Sequence, residues 1–327
     1  LKIYYKEVDN SMMRHIEEKL KHLEAYIPEL TKQEDHDIFW KRTMEEAKGK
    51  ALNASLHELD YPIKQVRAFD LTYHGFDETP IQAYYIVSKQ HQEKLPCLIF
   101  FHGYAGHKNS VSHYMKWLIQ GYAVIAVDCR GQGRTGDYSK YSSDEMGTWV
   151  TKGILDKDEY YYRKVYVDGV RAIDFACSRP EIDPKRIAIM GASMGGGITL
   201  AVAALDDRPK LAVADVPNMC DIGLAMKQKF DGSLTIVEKF LHRHPEAIEQ
   251  VYSTLTYFDN LNLCGNITCK TRISVGLLDL ICPPMPTYGV YNRILAPKSM
   301  EVYPFSGHDM GIIEHIDKTI QYVNEHL

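Results

Sequence analysis

The sequence predicts an α/β fold in which a mostly parallel sheet of eight strands is flanked by helices. Three observations carry that reading. The runs CLIFF (97–101), YAVIAV (122–127), RIAIM (186–190), LAVAD (211–215), RISVGL (272–277) and SMEVYPF (299–305) are continuous apolar stretches, as expected of strands in a parallel sheet covered on both faces. Helical segments alternate with them at about 110–120, 161–178, 195–205 and 286–295. A chain of 327 residues, 45% of them hydrophobic, buries about three quarters of its unfolded surface on folding. Such a core needs neither disulfides nor a metal.

Taken in order, the chain begins with Met12, Ile16, Leu20, Leu23 and Ile27 at spacings of three and four, the stripe of a helix with one buried face. A second helix is expected from about 34 to 50, anchored by Phe39 and Trp40. The period then changes: VRAFDLTY and IQAYYIV, separated by the turn-forming HGFDETP, are rich in β-branched and aromatic residues and predict an antiparallel pair. The remaining six strands follow. One connection is long: residues 216–271 contain IGLAMKQKF and LTIVEKFLHRHPEAIEQVYSTL, a helical excursion after the sixth strand that reaches over the carboxyl edge of the sheet, where open α/β folds bind ligands. The expectation is one domain, 1–327, with 1–60 as an N-terminal helical extension and 216–271 as a lid or interface element.

Composition excludes several function classes. Lys plus Arg number 38 against 43 Asp plus Glu, a net charge of −5, so there is no general cation surplus for a nucleic-acid backbone. The seven cysteines contain no C-x-x-C pair, which argues against zinc and dithiol sites and for buried small side chains. LKIYYKEVDN lacks the basic-then-apolar run of a secretory leader, and no window approaches a membrane span. The expected location is cytoplasmic, with a processed export form as the alternative.

The sharpest local signal is RIAIMGASMGGG. A strand runs through Gly191-Ala192-Ser193-Met194-Gly195 into a small-residue segment able to become a helix, the G-x-S-x-G pattern that presents a serine at a tight strand-to-helix turn. A merely structural glycine turn is the alternative. A serine hydroxyl needs a histidine to take its proton and an acid to orient that histidine. Asp279, just past a buried strand, and His308, in the loop after the next, supply both. The chain order Ser193, Asp279, His308 is that of the α/β-hydrolases. Asp215, at the end of LAVAD, and Asp309 are rival acids, although Asp309 is too close in sequence to His308 to reach its far ring nitrogen. Two backbone N–H groups should meet the oxyanion: that of Met194, and that of Tyr104 in FFHGYAG, with Gly103 as the local alternative to Tyr104. His102 suits loop shaping rather than proton transfer. GYAGHKN and DCRGQGRTGD match neither phosphate-binding glycine pattern. Arg130 is expected to brace the loops beside the elbow. Trp149, Tyr160, Tyr161 and Tyr162 either line a pocket or pack in the core.

RGQG (130–133), TKGILDKDEYYYRKVYVDGVRAIDF (151–175), GASMGGG (191–197), DVPNMCD (215–221), TLTYFDNLN (254–262) and VGLLDLICPP (275–284) together resemble the acetyl xylan esterases and cephalosporin-C deacetylases, carbohydrate esterase family 7 of the α/β-hydrolase superfamily. The resemblance runs from about residue 10 to the end. It implies a hexamer built as a trimer of dimers, with active sites facing an internal cavity. It also implies Ser193, Asp279 and His308 as the triad, the Tyr104 and Met194 N–H groups as the oxyanion hole, and no metal or cofactor. Three departures stand out. Met194 replaces the family's usual Gln, Asp309 its usual Glu, and HGYAGHKNSVSHY its glycine- and proline-rich continuation.

The expected function is removal of O-acetyl groups from small acetylated carbohydrates such as xylo-oligosaccharides, and from cephalosporin C, through an acyl-enzyme. The alternatives are a feruloyl or other larger-acyl carboxylesterase, an amidase or peptidase, and a catalytically silent scaffold or carbohydrate-binding protein.

Overall fold

The computed structural model describes residues 10–90, 93–228, 231–309 and 313–327. Helices α1 (Asn10–Glu24) and α2 (His36–Lys48) precede strands β1 (Ser55–Glu58), β2 (Val66–His74), β3 (Pro80–Ser88) and β4 (Leu95–Phe101). Then come α3 (Met115–Leu118), β5 (Ala123–Val127), α4 (Tyr161–Ser178), β6 (Ile182–Ala192), α5 (Met194–Leu205) and β7 (Leu211–Asp215). The long connection holds α6 (Ile222–Lys227), α7 (Leu234–Arg243), α8 (Ile248–Thr256) and α9 (Asn260–Leu263). The chain continues through β8 (Lys270–Gly276), α10 (Pro284–Arg293), β9 (Lys298–Tyr303) and α11 (Ile313–His326).

Among the described residues the strands form one nine-stranded sheet in the order β1-β2-β3-β5-β4-β6-β7-β8-β9. The β1–β2, β2–β3 and β3–β5 pairs are antiparallel, and β5-β4-β6-β7-β8-β9 is parallel throughout. The sequence predicts eight strands, so the count needs correction. The additional strand is β1, whose Ser-Leu-His-Glu sequence lies at the sheet edge with no buried residue and therefore carries no hydrophobic alternation to read. It also places residues 55–58 of the expected helical extension in the sheet.

Alternate side chains of the central strands enter cores on opposite faces, which is why the apolar runs are continuous. Cys97, Ile99, Ile125, Ile187 and Ile189 pack with α2, α4 and α5 on one face. Leu98, Val124, Ala188 and Met190 meet Trp117, Leu118 and Val323 on the other. The tyrosines at the start of α4 and the one before it belong to the first core: Tyr160, Tyr161, Tyr162 and Tyr166 are fully buried, and Tyr160 meets Phe258 with ring centroids 4.9 Å apart. This settles their role as packing, whereas the sequence left a pocket lining equally open. The N-terminal extension reaches the same cluster, where Trp40 Nε1 donates to the Tyr257 carbonyl at 2.8 Å. Six of the seven cysteines are buried and all seven are free thiols.

Arg130 is fully buried, and a guanidinium there must be fully paired to offset its desolvation. Its Nε and Nη2 each donate to Asp168 at 2.9 Å, and its Nη1 donates to Asp77 at 2.6 Å and to Ser139 at 2.8 Å. The fork ties the loop after β5 to α4 and to the β2–β3 turn, as the sequence predicts.

The two ends of the excursion meet at Asp259. Its carboxylate accepts the N–H groups of Ile222 (2.7 Å) and Leu261 (2.9 Å), at the starts of α6 and α9. Asp221 beside it caps α6 through the Leu224 N–H at 3.2 Å and accepts the Tyr26 hydroxyl at 2.6 Å. Burial outweighs the two N–H donors and pushes the Asp259 carboxyl up to about 7, with the Asp221 carboxylate acting in the same direction.

Two predictions follow from this packing. A Cβ on Gly169 of α4 would lie 2.7 Å from Val202 Cγ2 of α5. Helix propensity alone would make Gly169→Ala stabilising by about 0.5–1 kcal/mol, but the close approach reverses the sign, and urea unfolding should give a loss of about 1–3 kcal/mol. The native state also keeps a proton on Asp259 up to about pH 7, whereas the unfolded chain releases it near pH ~4. The stabilisation linked to that proton is therefore complete below pH ~4, declines as pH rises, and is lost above about 7. Unfolding titrations across this range should show this component of the slope, up to one proton, in the parent and not in Asp259→Asn.

Candidate active site

Strand β6 delivers Ser193 to the carboxyl edge of the sheet, and α5 begins at the next residue. Ser193 has φ 58° and ψ −118°, a region that costs a residue bearing a Cβ about 1–3 kcal/mol. Three backbone bonds hold it there. Its N–H donates to the Asp215 carbonyl at 2.9 Å, and its own carbonyl accepts the N–H groups of Asn218 and Gly197, each at 3.0 Å. Gly195 makes the turn possible, because a Cβ at that position would lie 2.1 Å from the Phe101 carbonyl oxygen.

Ser193 lines a cavity of about 410 Å³ together with Tyr104, Asn218, Leu234, Ile281 and Cys282. The excursion after β7 supplies one wall and the loop after β8 another. The Cys282 thiol, pushed up in pKa by burial and by the nearby Asp279, lies against the Ser193 hydroxyl, which acts in the opposite direction.

Asp279 and His308 come together on the neighbouring loops. His308 Nδ1 is 2.8 Å from Asp279 Oδ2, and the acid is buried while the imidazole is partly exposed. Asp279 Oδ1 accepts the N–H groups of Ile281 (2.8 Å) and Cys282 (2.9 Å). Those two bonds aim the carboxylate and connect it to the Cys282 wall of the cavity. A carboxylate has no proton to give, so His308 carries its hydrogen on Nδ1, which leaves Nε2 as the basic nitrogen. Asp215 is engaged elsewhere, with His315 rather than His308.

Among the described residues no protein acceptor takes the N–H of Tyr104 or Met194. The Met194 N–H belongs to the unpaired first turn of α5, a favourable place for negative charge. Gln132 links the two segments that carry these donors. Its Oε1 accepts the Ala105 N–H at 2.8 Å, while its Nε2 donates to the Tyr161 hydroxyl at 2.9 Å and reaches the Met194 sulfur at 3.5 Å. Sequence reasoning gave Gln132 no role of its own, although its place in RGQG was a signal. It also gave none to Cys282 or Asn218, whose positions depend on long-range folding. His102 shapes the loop, as the sequence predicts. Its Nε2 accepts the Cys129 N–H at 2.9 Å and its Nδ1 donates to the Gly103 carbonyl at 2.7 Å. Burial lowers its pKa, and both ring nitrogens are occupied. Among the described residues there is no cluster arranged to hold a metal ion, and no helix is long and apolar enough to cross a membrane.

With this geometry in place, comparison with known proteins identifies relatives. Residues 13–326 match the family described as Acetyl xylan esterase (AXE1). Acetyl esterase Axe7A of Xylanibacter ruminicola is 28% identical over 302 residues, which cover 87% of this chain. The matched stretch spans 66% of that relative's length, just under two thirds. The structure of an acetyl xylan esterase from Paenibacillus sp. R4 superposes with a TM-score of 0.91 at 37% identity, covering 94% of this chain and 99% of that one. Acetyl xylan esterase 1 from Thermoanaerobacterium sp. JW/SL YS485 gives 0.89 at 28% identity, covering 94% and 98%. A match along nearly the whole chain, to a family of α/β-hydrolase esterases and to solved members of the same fold, leads to one conclusion: this chain belongs to the acetyl xylan esterase family.

Proposed function

We propose that this chain is a serine carboxylesterase that removes O-acetyl groups from small acetylated carbohydrates such as xylo-oligosaccharides, and from the acetylated side chain of cephalosporin C. The observation that carries the reading is the strained, positive-φ backbone of Ser193, which lines a 410 Å³ cavity in a chain that also pairs His308 with Asp279. In this reading His308 Nε2 takes the Ser193 proton as Oγ attacks the acetyl carbonyl carbon, and the carbonyl electron pair moves onto oxygen. The Tyr104 and Met194 N–H groups meet that oxyanion. The tetrahedral adduct collapses, the C–O bond to the sugar breaks, and the imidazolium gives its proton to the departing alcohol. Water then repeats the sequence on the acetyl-serine, with His308 again as base, and leaves acetate and free enzyme.

Leu234, Ile236 and Ile281 give the cavity apolar walls and more room than an acetyl group requires. That favours, as a second reading, turnover of larger acyl esters such as feruloyl esters. The domain reading extends naturally: 1–327 acts as one unit, with 216–271 as the element that walls the substrate cavity. A homo-oligomer, a hexamer by analogy with the family, is supported by Leu278, Leu280 and Phe305, which are 56%, 60% and 54% exposed on loops joined by the bond from Leu278 N–H to the Ser306 carbonyl. A cytoplasmic location is supported by the seven free thiols.

Ser193→Ala should lose at least about a thousandfold in kcat on 4-nitrophenyl acetate, and Asp279→Asn about three to four orders of magnitude, with thermal unfolding close to the parent's. Full activity in Ser193→Ala would refute the scheme. Competing acetyl, butyryl and feruloyl esters, with acid release measured for each, should favour acetyl. A preference for the larger acyl groups would establish the second reading instead. Native mass measurement checks the assembly.

A further inference from the structure

Beside the elbow lies a second, partly buried cluster of carboxylate, imidazole and hydroxyl groups that the reaction scheme does not use. Asp215 ends β7, and its backbone carbonyl is the acceptor of the Ser193 N–H. Its side-chain Oδ1 accepts the Ser274 hydroxyl of β8 at 2.8 Å. Its Oδ2 lies 3.0 Å from His315 Nε2, in the first turn of α11. His315 is buried, and its Nδ1 is 2.8 Å from the hydroxyl of Tyr303, the last residue of β9.

The proton positions follow from the partners. The Asp215 carboxylate can only accept, so His315 carries its hydrogen on Nε2, and Nδ1 accepts from the Tyr303 hydroxyl. Burial, and after it the Glu301 carboxylate, keep that hydroxyl protonated by raising its pKa.

The chain order gives the cluster its meaning. Tyr303 precedes the loop that carries His308, and His315 follows it. Their mutual contact closes the base of that loop, and the residue that holds this base through its side chain, Asp215, is the one whose backbone carbonyl accepts the Ser193 N–H. We propose that Asp215, His315 and Tyr303 are positioning residues for the esterase reaction: the His315 Nε2–H···Asp215 Oδ2 bond sets the His308 loop in register with the Ser193 elbow. This rests on the reading of Ser193 as nucleophile and His308 as base. A misplacement of about 1 Å between such groups costs on the order of a hundredfold in rate, whereas substrate affinity depends on the cavity walls and should not follow.

The test measures kcat and KM on 4-nitrophenyl acetate, together with thermal unfolding, for His315→Ala, His315→Gln, Tyr303→Phe and Ser193→Ala. In His315→Ala kcat should fall by about tenfold or more with KM within about twofold, because orientation is lost while the cavity stays intact. His315→Gln places an amide N–H where Nε2 was and should recover most of the rate. If His315→Ala does not fold, Tyr303→Phe, which removes only one hydroxyl, should still lower kcat several-fold. An unchanged kcat in His315→Ala, whatever its unfolding temperature, or equal losses in the Gln and Ala variants, or an unchanged kcat in Tyr303→Phe, would overturn the positioning role. The Ser193→Ala arm separates the two claims. Its full activity would refute the nucleophile reading, whereas its inactivity beside an unaffected His315→Ala would overturn only the inference made here.

Discussion

Ser193 adopts a backbone conformation that a residue with a Cβ holds only when its surroundings over-determine it, and the neighbouring elements are arranged around that demand. The Asp215 carbonyl, at the end of the adjacent strand, takes its N–H, while Asn218 and Gly197 take up its carbonyl. Gly195 lets the elbow approach Phe101 more closely than any side chain would allow. The strain is met by backbone bonds from the end of β7, the connection that follows it and α5, so it cannot relax without disturbing the parallel core. The same turn that strains Ser193 leaves the Met194 N–H at the open end of α5, and so one constraint positions both the hydroxyl and a candidate oxyanion donor.

The polar network behind the site is organised around the Arg130 guanidinium. The buried Arg130 donates both to buried Asp168 and to half-buried Asp77, and leaving its charge unpaired would be strongly destabilising. The Tyr161 hydroxyl donates to the Arg130 carbonyl at 2.6 Å, and Gln132 passes this rigid frame on to the loop of Tyr104 and to Met194. A weak contact to sulfur therefore stands where a glutamine would offer an amide, and the backbone N–H beside it is unaffected by the exchange.

Much of this was legible in the sequence, because the strongest signals are local or periodic. The apolar runs revealed β4 to β8, since a strand covered on both faces cannot hide its composition, and the run SMEVYPF revealed β9 although that edge strand is only half-buried. The glycine spacing around Ser193 revealed the elbow, since turn geometry leaves few residue choices. Asp279 and His308 followed from their places after consecutive strands. Strand β1 was illegible because an exposed edge strand has no side-chain pattern. The tyrosines of α4 were ambiguous because core and pocket select the same aromatic residues, and only the packing against Phe258 decides between them. Gln132, Cys282 and the Asp215–His315 pair depend on contacts between segments far apart in the chain, which one sequence does not encode in any local motif. Asp215 was visible as an acid at the right kind of position, but its partner was not.

The proposed reaction depends on the hydroxyl of Ser193, held on a strained backbone, acting as the nucleophile. The most direct measurement is peptide mapping by mass spectrometry after the intact protein reacts with a serine-directed fluorophosphonate, with loss of esterase activity followed in the same sample. One stoichiometric adduct should form on Ser193, in the peptide containing RIAIMGASMGGG, in step with inactivation. An adduct elsewhere that tracks the loss of activity, or full activity with Ser193 completely labelled, would contradict it.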